Sequence, residues 1–249
     1  MKVFDQYSLY YNLLYRDKDY DAESSYILQL IKTHKSDAIS ILDVGCGTGK
    51  HAHLMSKHKF KVSGIDLSES MLNQAQTNYP NLTFYHGDAR NFKLNHKFDI
   101  ITSLFHVASY QTSNDDFNNY LSTINQHLTE SGIFIFDFWY GPAVLEEKPE
   151  VRIKRMEAEN LLITRLAEPV LHVNENLVDV NYQILIKDKN TNLLNELYET
   201  HKMRYWFMPE IKQALDFNGF DFVMCHKWMS NQQPSENSWS VCVIARRKC

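Results

Sequence analysis

ILDVGCGTGK, residues 41–50, is the stretch that decides how the rest of the chain folds. Ile41, Leu42 and Val44 around a single carboxylate, Asp43, read as a buried strand. Gly45, Gly47 and Gly49 then alternate with small residues, and a helical pattern, KHAHLMSKH, begins at once. Strand, glycine turn and helix N-terminus together make a ligand cradle. The glycines admit a ligand to the backbone with no Cβ in the way, and N–H groups point outward from the helix start. A dinucleotide fingerprint is G-x-G-x-x-G, whereas the spacing here is G-x-G-x-G. Asp43, two residues before the first glycine, is placed to meet a cationic ligand group rather than a pyrophosphate. Three alternating glycines also cost too much backbone entropy to serve as a plain turn.

The stretch Leu42-Asp43-Val44-Gly45-Cys46-Gly47-Thr48-Gly49 resembles motif I of the class I S-adenosylmethionine (SAM)-dependent methyltransferases. That resemblance implies an α/β fold, a doubly wound and mostly parallel seven-stranded sheet, with SAM as cofactor and S-adenosylhomocysteine as product. Backbone and side-chain contacts to SAM are then expected from Asp43, Gly45, Cys46, Gly47 and Gly49. Further along, KVSGIDLS (61–68) reads as a second strand ending in Asp66. Ligands of open α/β sheets sit at the carboxyl ends of strands, and a carboxylate there accepts from the vicinal hydroxyls of a ribose. Leu67 is expected against the adenine, and Ser68 caps a helix carrying Met71, Leu72 and Ala75. LTFYHGD runs into Gly87-Asp88-Ala89-Arg90, which matches the family's adenine-recognition position. Asp88 would accept from the exocyclic amine and Ala89 N–H would reach a ring nitrogen; otherwise this is an ordinary turn.

FDIITSLFHVASYQ (98–111) gives a fourth strand whose end carries Leu104, expected at the cofactor, then Phe105 and His106. His106 is either a base at the lip of the site or a polar rim residue. Ser113 or Asn114 caps the next helix, and Asp115 and Asp116 favour its dipole. A metal role for those acids is weaker, because no third carboxylate or histidine lies at ligand spacing, and no metal is expected. That helix is read as closing at Ser131-Gly132, before a fifth strand, GIFIFDFWYGP (132–142). Residues 150–207 then alternate with period two in four runs, with turns at Asn174-Glu175-Asn176 and Asp188-Lys189-Asn190. They read as an antiparallel β insertion. Met208-Pro209-Glu210 opens a helix ended by Asn218-Gly219, and FDFVMCHKW and WSVCVIARR supply two last strands.

The expected organisation is a helical cap segment (1–36), a SAM-binding domain (37–145 and 207–249), and an insertion (146–206) serving the substrate or a homodimer. A narrower likeness covers nearly the whole chain. The Tyr11–Tyr15 segment followed by KDYDAE, the LFHVASY stretch, the FWYGP exit and the late insertion resemble bacterial amino-sugar N-methyltransferases. It implies a nucleotide-linked amino sugar as the small-molecule acceptor. The N-terminal segment would lie over the cofactor, with Tyr15 catalytic, Tyr20 on SAM and Tyr11 on the substrate, or these tyrosines simply pack the core. Trp139, Tyr140 and Arg165 join the substrate group, although the family's pyrophosphate-binding basic residues do not map one by one onto Arg152, Arg155, Arg165 and Arg204.

Bulk properties narrow the rest. With 249 residues, 44% hydrophobic and 13% aromatic, the chain is expected to hold one domain with an insertion. A net charge of −4 speaks against a general nucleic-acid binder. Four cysteines form no CxxC, which suits a reducing compartment. With neither a signal peptide nor ~18 consecutive apolar residues, no membrane partner is expected and the reading is cytoplasmic. Rival functions are an O-methyltransferase using His106 as base, and a non-catalytic SAM-binding protein. An oxidoreductase lacks its glycine spacing here. An RNA methyltransferase acting on exocyclic base amines wants an Asn/Asp-Pro-Pro-Tyr/Phe strand end, where this chain has Ser103-Leu104-Phe105-His106.

Overall fold

The computed structural model describes residue 11 and residues 13–248. Five parallel strands form the spine in the order β3-β2-β1-β4-β5. They are β1 (Ser40–Val44), β2 (Lys61–Asp66), β3 (Thr83–His86), β4 (Phe98–Ser103) and β5 (Leu128–Tyr140). The last two strands close that sheet: β11 (Ser240–Arg247) lies antiparallel to β5, and β10 (Phe220–Lys227) lies outside β11. This is the doubly wound, seven-stranded arrangement expected from the glycine stretch.

Both faces are covered because alternate residues of each strand point opposite ways. Ile41, Val62, Ile100, Ile133 and Ile135 pack on α1 (Tyr20–His34) and α2 (Lys50–Ser56), through Ile27, Leu30, Ile31, Ala52 and Met55. Leu42, Val44, Ile101, Phe134 and Phe136 pack on α4 (Asn114–His127), which offers Phe117, Tyr120, Leu121 and Ile124 at helical spacing. α3 (Glu69–Asn78) is capped by Ser68, whose Oγ accepts from Met71 N at 3.3 Å. Ser113, not Asn114, caps α4, its Oγ accepting from Asp116 N at 3.0 Å.

Two local readings are corrected. α4 closes at His127, and Ser131-Gly132 sits inside β5. Phe98 pairs with Leu128 but Ile100 with Ile133, so the extra β5 residues bulge around Ser131, whose φ is 56°. Fully buried Leu128 draws the chain into the sheet before the glycine arrives. A short helix that sequence did not suggest, α5 (Gly141–Glu147), follows β5, with Pro142 in its first turn where a missing N–H costs nothing.

The later strands, β6 (Arg152–Glu157), β7 (Leu161–His172), β8 (Leu177–Asp188) and β9 (Leu194–Trp206), form an antiparallel meander. α6 (Met208–Phe217) leads back to β10. The meander is continuous with the spine: β4 pairs with β5 up to Ser103–Phe136, and β9 then pairs with Trp139 and Tyr140, parallel, through Tyr205 and Trp206. Its inner face packs Val178, Val180, Met203 and Tyr205 on Val144 of α5, and Ile163, Ile184 and Ile186 on Leu14. Among the described residues no helix is long and apolar enough to cross a membrane.

Candidate active site

The three glycines of the loop between β1 and α2 all have positive φ (74°, 53° and 78°). A Cβ on Gly45 would stand 2.4 Å from Val107 Cγ2, and one on Gly49 would stand 2.7 Å from the Phe84 ring. A Cβ on Gly47 would meet nothing within 4 Å. The first and third glycines therefore allow close packing, while the second turns its bare backbone to open space. Gly45 N and Cys46 N donate to Ile65 O, at 2.8 and 3.1 Å. Gly47 N donates to Asp66 Oδ2 at 2.7 Å, and Ser68 N to Asp66 Oδ1 at 2.9 Å. Asp66 is thus fixed at the carboxyl end of β2 with one backbone donor on each oxygen, and burial pushes its carboxyl up. Beside it Leu67 is 51% exposed, an apolar side chain on the rim.

Asp43 lies under the loop and is nearly inaccessible. Its Oδ1 accepts from Thr102 Oγ1 at 2.9 Å, while Oδ2 is buried with no hydrogen-bond partner. Burial pushes this carboxyl up to about 6, against the opposing pull of nearby His51. A buried acceptor without a donor is expensive, and a cationic ligand at that point would relieve it.

The N-terminal segment reaches the same loop through a cluster that sequence did not reveal. Glu23 Oε2 accepts from Lys18 Nζ and from His51 Nε2, the latter at 2.8 Å. Burial alone would raise the Glu23 carboxyl, but these two partners overcome it and hold it at about 2. Lys18 Nζ also stands 4.5 Å from the Phe105 ring centre and 4.8 Å from that of Tyr20, with Lys50 Nζ 4.4 Å from Tyr20. A cleft of about 370 Å³ is lined here by Tyr15, Tyr20, Thr48, Lys50, Asn78 and Tyr79.

At the exit of β4, Phe105 and His106 adopt φ of 66° and 67° in succession. Two consecutive left-handed residues bearing side chains are strained, and such strain persists only where the surroundings enforce it. Here Asp137 of β5 does so, its Oδ1 accepting from His106 N at 3.1 Å. His106 Nδ1 lies 2.7 Å from Asp137 Oδ2, off the line a hydrogen bond prefers. The ring edge of Tyr15 meets Phe105 at 5.0 Å, and Trp139 stands 6.2 Å from His106. Tyr15, Phe105, His106 and Trp139 therefore line one wall. Arg165 reaches it from β7, with Nη1 3.4 Å from the Tyr15 hydroxyl, and Tyr11 packs 4.7 Å from Tyr15.

Other expected residues lie elsewhere or are engaged. Tyr140, next along β5 from Trp139, faces the opposite side of the sheet and lines a separate cleft with Met208, Lys212 and Phe222. Leu104 is 3% exposed and belongs to the core packed on α1, so its side chain is closed to a ligand. The Cys46 side chain is buried, leaving its backbone in the loop. Asp88 is clamped by Arg90, whose N and Nε both reach Oδ1 at 2.9 Å and whose Nη2 reaches Oδ2 at 2.5 Å. That bond holds the Asp88 carboxyl below its usual range, and Arg90 also binds Asp116. Ala89 is half-buried against the core. Among the described residues no group of histidine, cysteine and carboxylate side chains could hold a metal.

A family described as a methyltransferase domain matches residues 41–132. The chain is 31% identical over 169 residues to a dTDP-4-amino-2,3,4,6-tetradeoxy-D-glucose N,N-dimethyltransferase of Saccharopolyspora spinosa, covering 68% of each protein. It is 28% identical over 194 residues to a dTDP-3-amino-3,4,6-trideoxy-alpha-D-glucopyranose N,N-dimethyltransferase of Streptomyces venezuelae, covering 78% of this chain and 81% of that one. Among solved structures, an S-adenosylmethionine-dependent methyltransferase from Clostridium acetobutylicum superposes with a TM-score of 0.84 over the full length of both chains, at 20% identity.

Proposed function

The chain belongs to the SAM-dependent methyltransferases, and on that premise we propose that its acceptor is the amine of a nucleotide-linked amino sugar. The observation that carries this reading is the continuity of β9 with the tip of β5, with Trp139 packed beside Val178, Val180 and Met203 of the meander and 6.2 Å from His106. The likeness to the two dTDP-amino-sugar enzymes runs over 194 and 169 residues, longer than the methyltransferase-domain match at 41–132.

The residues around the glycine loop suit SAM on this chain's own geometry. Gly47 offers a bare backbone to the ligand, and the unpartnered Asp43 oxygen is matched to a cationic group. Asp66 keeps a lone pair on each oxygen for the ribose hydroxyls. Leu67 would pack on the adenine, and Asp88 Oδ2 would have acceptor capacity left for the exocyclic amine despite Arg90. When bound, SAM supplies an activated methyl group, so the protein's task is alignment. His106 accepts from the amine and points its lone pair along the transfer path. Asp137 holds the His106 backbone through its N–H, while the faces of Tyr15 and Trp139 pack on sugar C–H groups.

A hydroxyl acceptor is the second reading, favoured by the His106–Asp137 pair, which is the arrangement a general base uses. Mass spectrometry after incubation with SAM and matched amino and hydroxy nucleotide sugars separates the two. Methyl groups on nitrogen are expected. Methylation of oxygen with the amines untouched would overturn the amine assignment and leave the methyltransferase assignment standing.

A further inference from the structure

The cleft beside the glycine loop holds a positive charge that the fold itself does not use. It runs from Tyr15, on the wall shared with Phe105, past Thr48 of the loop to Lys50, Asn78 and Tyr79. Lys50 is the first residue of α2, directly after Gly49, and its Nζ lies 4.4 Å from the centre of the Tyr20 ring. Tyr20 is 6% exposed and rests 4.9 Å from the His51 ring, so the face that receives the ammonium is held in place. A ring face attracts the charge without accepting its hydrogens, which leaves N–H donors of Lys50 for an oxygen ligand. The ion pairs of this cluster join Glu23 to Lys18 and to His51, and among the described residues no carboxylate pairs with Lys50.

The charges around the loop therefore sort into two places. Asp43, beneath it at the end of β1, is an anion with one buried oxygen that has no donor. Lys50, where the loop enters α2, is a cation without an anion. Lys18 and Glu23 offset each other. Tyr20 and Tyr79 add no charge, because burial raises both hydroxyls, that of Tyr20 to about 12. A matching ligand carries an ammonium and a carboxylate on neighbouring atoms, which is the head group of an α-amino acid. SAM has one such group, at the end of its methionine arm. A nucleotide diphosphate brings negative charge alone and would leave the Asp43 oxygen unmatched.

We propose that Lys50 takes the carboxylate of SAM, an inference that rests on the fit of SAM to the glycine loop and not on the amino-sugar acceptor. The methionine arm is then held at both of its charges, by Asp43 and by Lys50, while Asp66 holds the ribose. The sulfonium lies between these two grips. A protein that gripped the adenosine alone would leave the arm free to turn about the sulfur, and alignment of the methyl group would suffer. Lys50 is thus a residue that binds and orients the donor without touching the atoms that react.

Calorimetry with SAM and with decarboxylated SAM, which keeps the ammonium and the sulfonium and lacks only the carboxylate, tests this with no acceptor present. Wild type should prefer SAM by about 10-fold. Lys50→Met keeps the apolar stem against Tyr20 and removes the charge. It should weaken SAM about 10-fold and leave decarboxylated SAM unchanged, and Lys50→Arg should keep most of the preference. Equal affinity of wild type for the two ligands refutes the assignment, whatever the variants do. So does a Lys50→Met protein that retains the preference or loses both ligands in equal measure, and so does a preference abolished by Lys18→Met instead. A wild-type protein that binds neither ligand overturns the fit of SAM to the loop as well. One that keeps the preference but is inert toward every amino sugar supports Lys50 and removes the acceptor reading alone.

Discussion

Replacing Asp43 by Asn should stabilise the ligand-free protein while weakening its hold on SAM. The folded state pushes this carboxyl from 3.8 up to about 6, because burial is only partly offset by His51. At 1.36 kcal/mol per unit, ionising Asp43 in the folded protein costs about 3 kcal/mol. The sign follows from the order of the two values. Below pH 3.8 both states are protonated and Asp43 contributes nothing. Between 3.8 and about 6 the unfolded chain loses its proton first, so stability falls as pH rises, and above 6 the deficit is constant. Asn removes the charge and still accepts from Thr102, but its NH2 brings two N–H donors to a point with no partner, returning about 2 kcal/mol. The net gain at pH 8 is about 1 kcal/mol, or about 2–4 °C in Tm for a chain of this size, and it reverses below about pH 5. Thermal unfolding followed by circular dichroism at pH 8 and pH 4 reads it. Calorimetry should show SAM binding about 10–100-fold weaker, the loss of one charged contact. An Asp43→Asn protein less stable than wild type at pH 8 would refute the reasoning.

Glu23→Gln should do the opposite. The Glu23 carboxyl is held at about 2, so its stabilisation, about 3 kcal/mol, is full above pH 4.5 and lost as pH falls toward 2; urea midpoints should fall below wild type at pH 7 and by about half as much at pH 3. Gly47→Ala should cost the fold about 1–2 kcal/mol for its left-handed backbone while cutting SAM affinity, whereas Gly45→Ala should lower Tm more through its clash with Val107; melts and calorimetry on both variants separate the effects. His106→Ala should lower kcat about 100-fold with SAM affinity unchanged, and a loss confined to KM would remove its orienting role.

What the sequence revealed, and what it hid, divides by range. Gly45, Gly47, Gly49 and Asp66 announce themselves because strand, turn and strand end are consecutive, so spacing alone places them at one end of the sheet. Leu104 follows its strand as regularly, yet its direction depends on α1, which lies far back in the sequence. Trp139 and Tyr140 part because the pleat sends neighbours to opposite faces, which a period-two count along β5 would have shown. The Tyr110–His201 bond joins residues 91 positions apart, and Lys18, Glu23 and His51 meet only once the N-terminal segment folds back. No local pattern marks such contacts.

The two pairs Trp139–Tyr205 and Tyr140–Trp206 set a tolerance for the whole molecule. Because side chains alternate along β9, a slip of one residue there would send Glu199 and His201 out to water and bring Tyr198 and Thr200 inward. On the proposed acceptor site, the distance between methyl donor and acceptor is therefore gauged by a backbone ladder. Changes of substrate in related chains should then accumulate in side chains on the inner face of the meander, while the lengths of β5 and β9 up to that junction stay fixed.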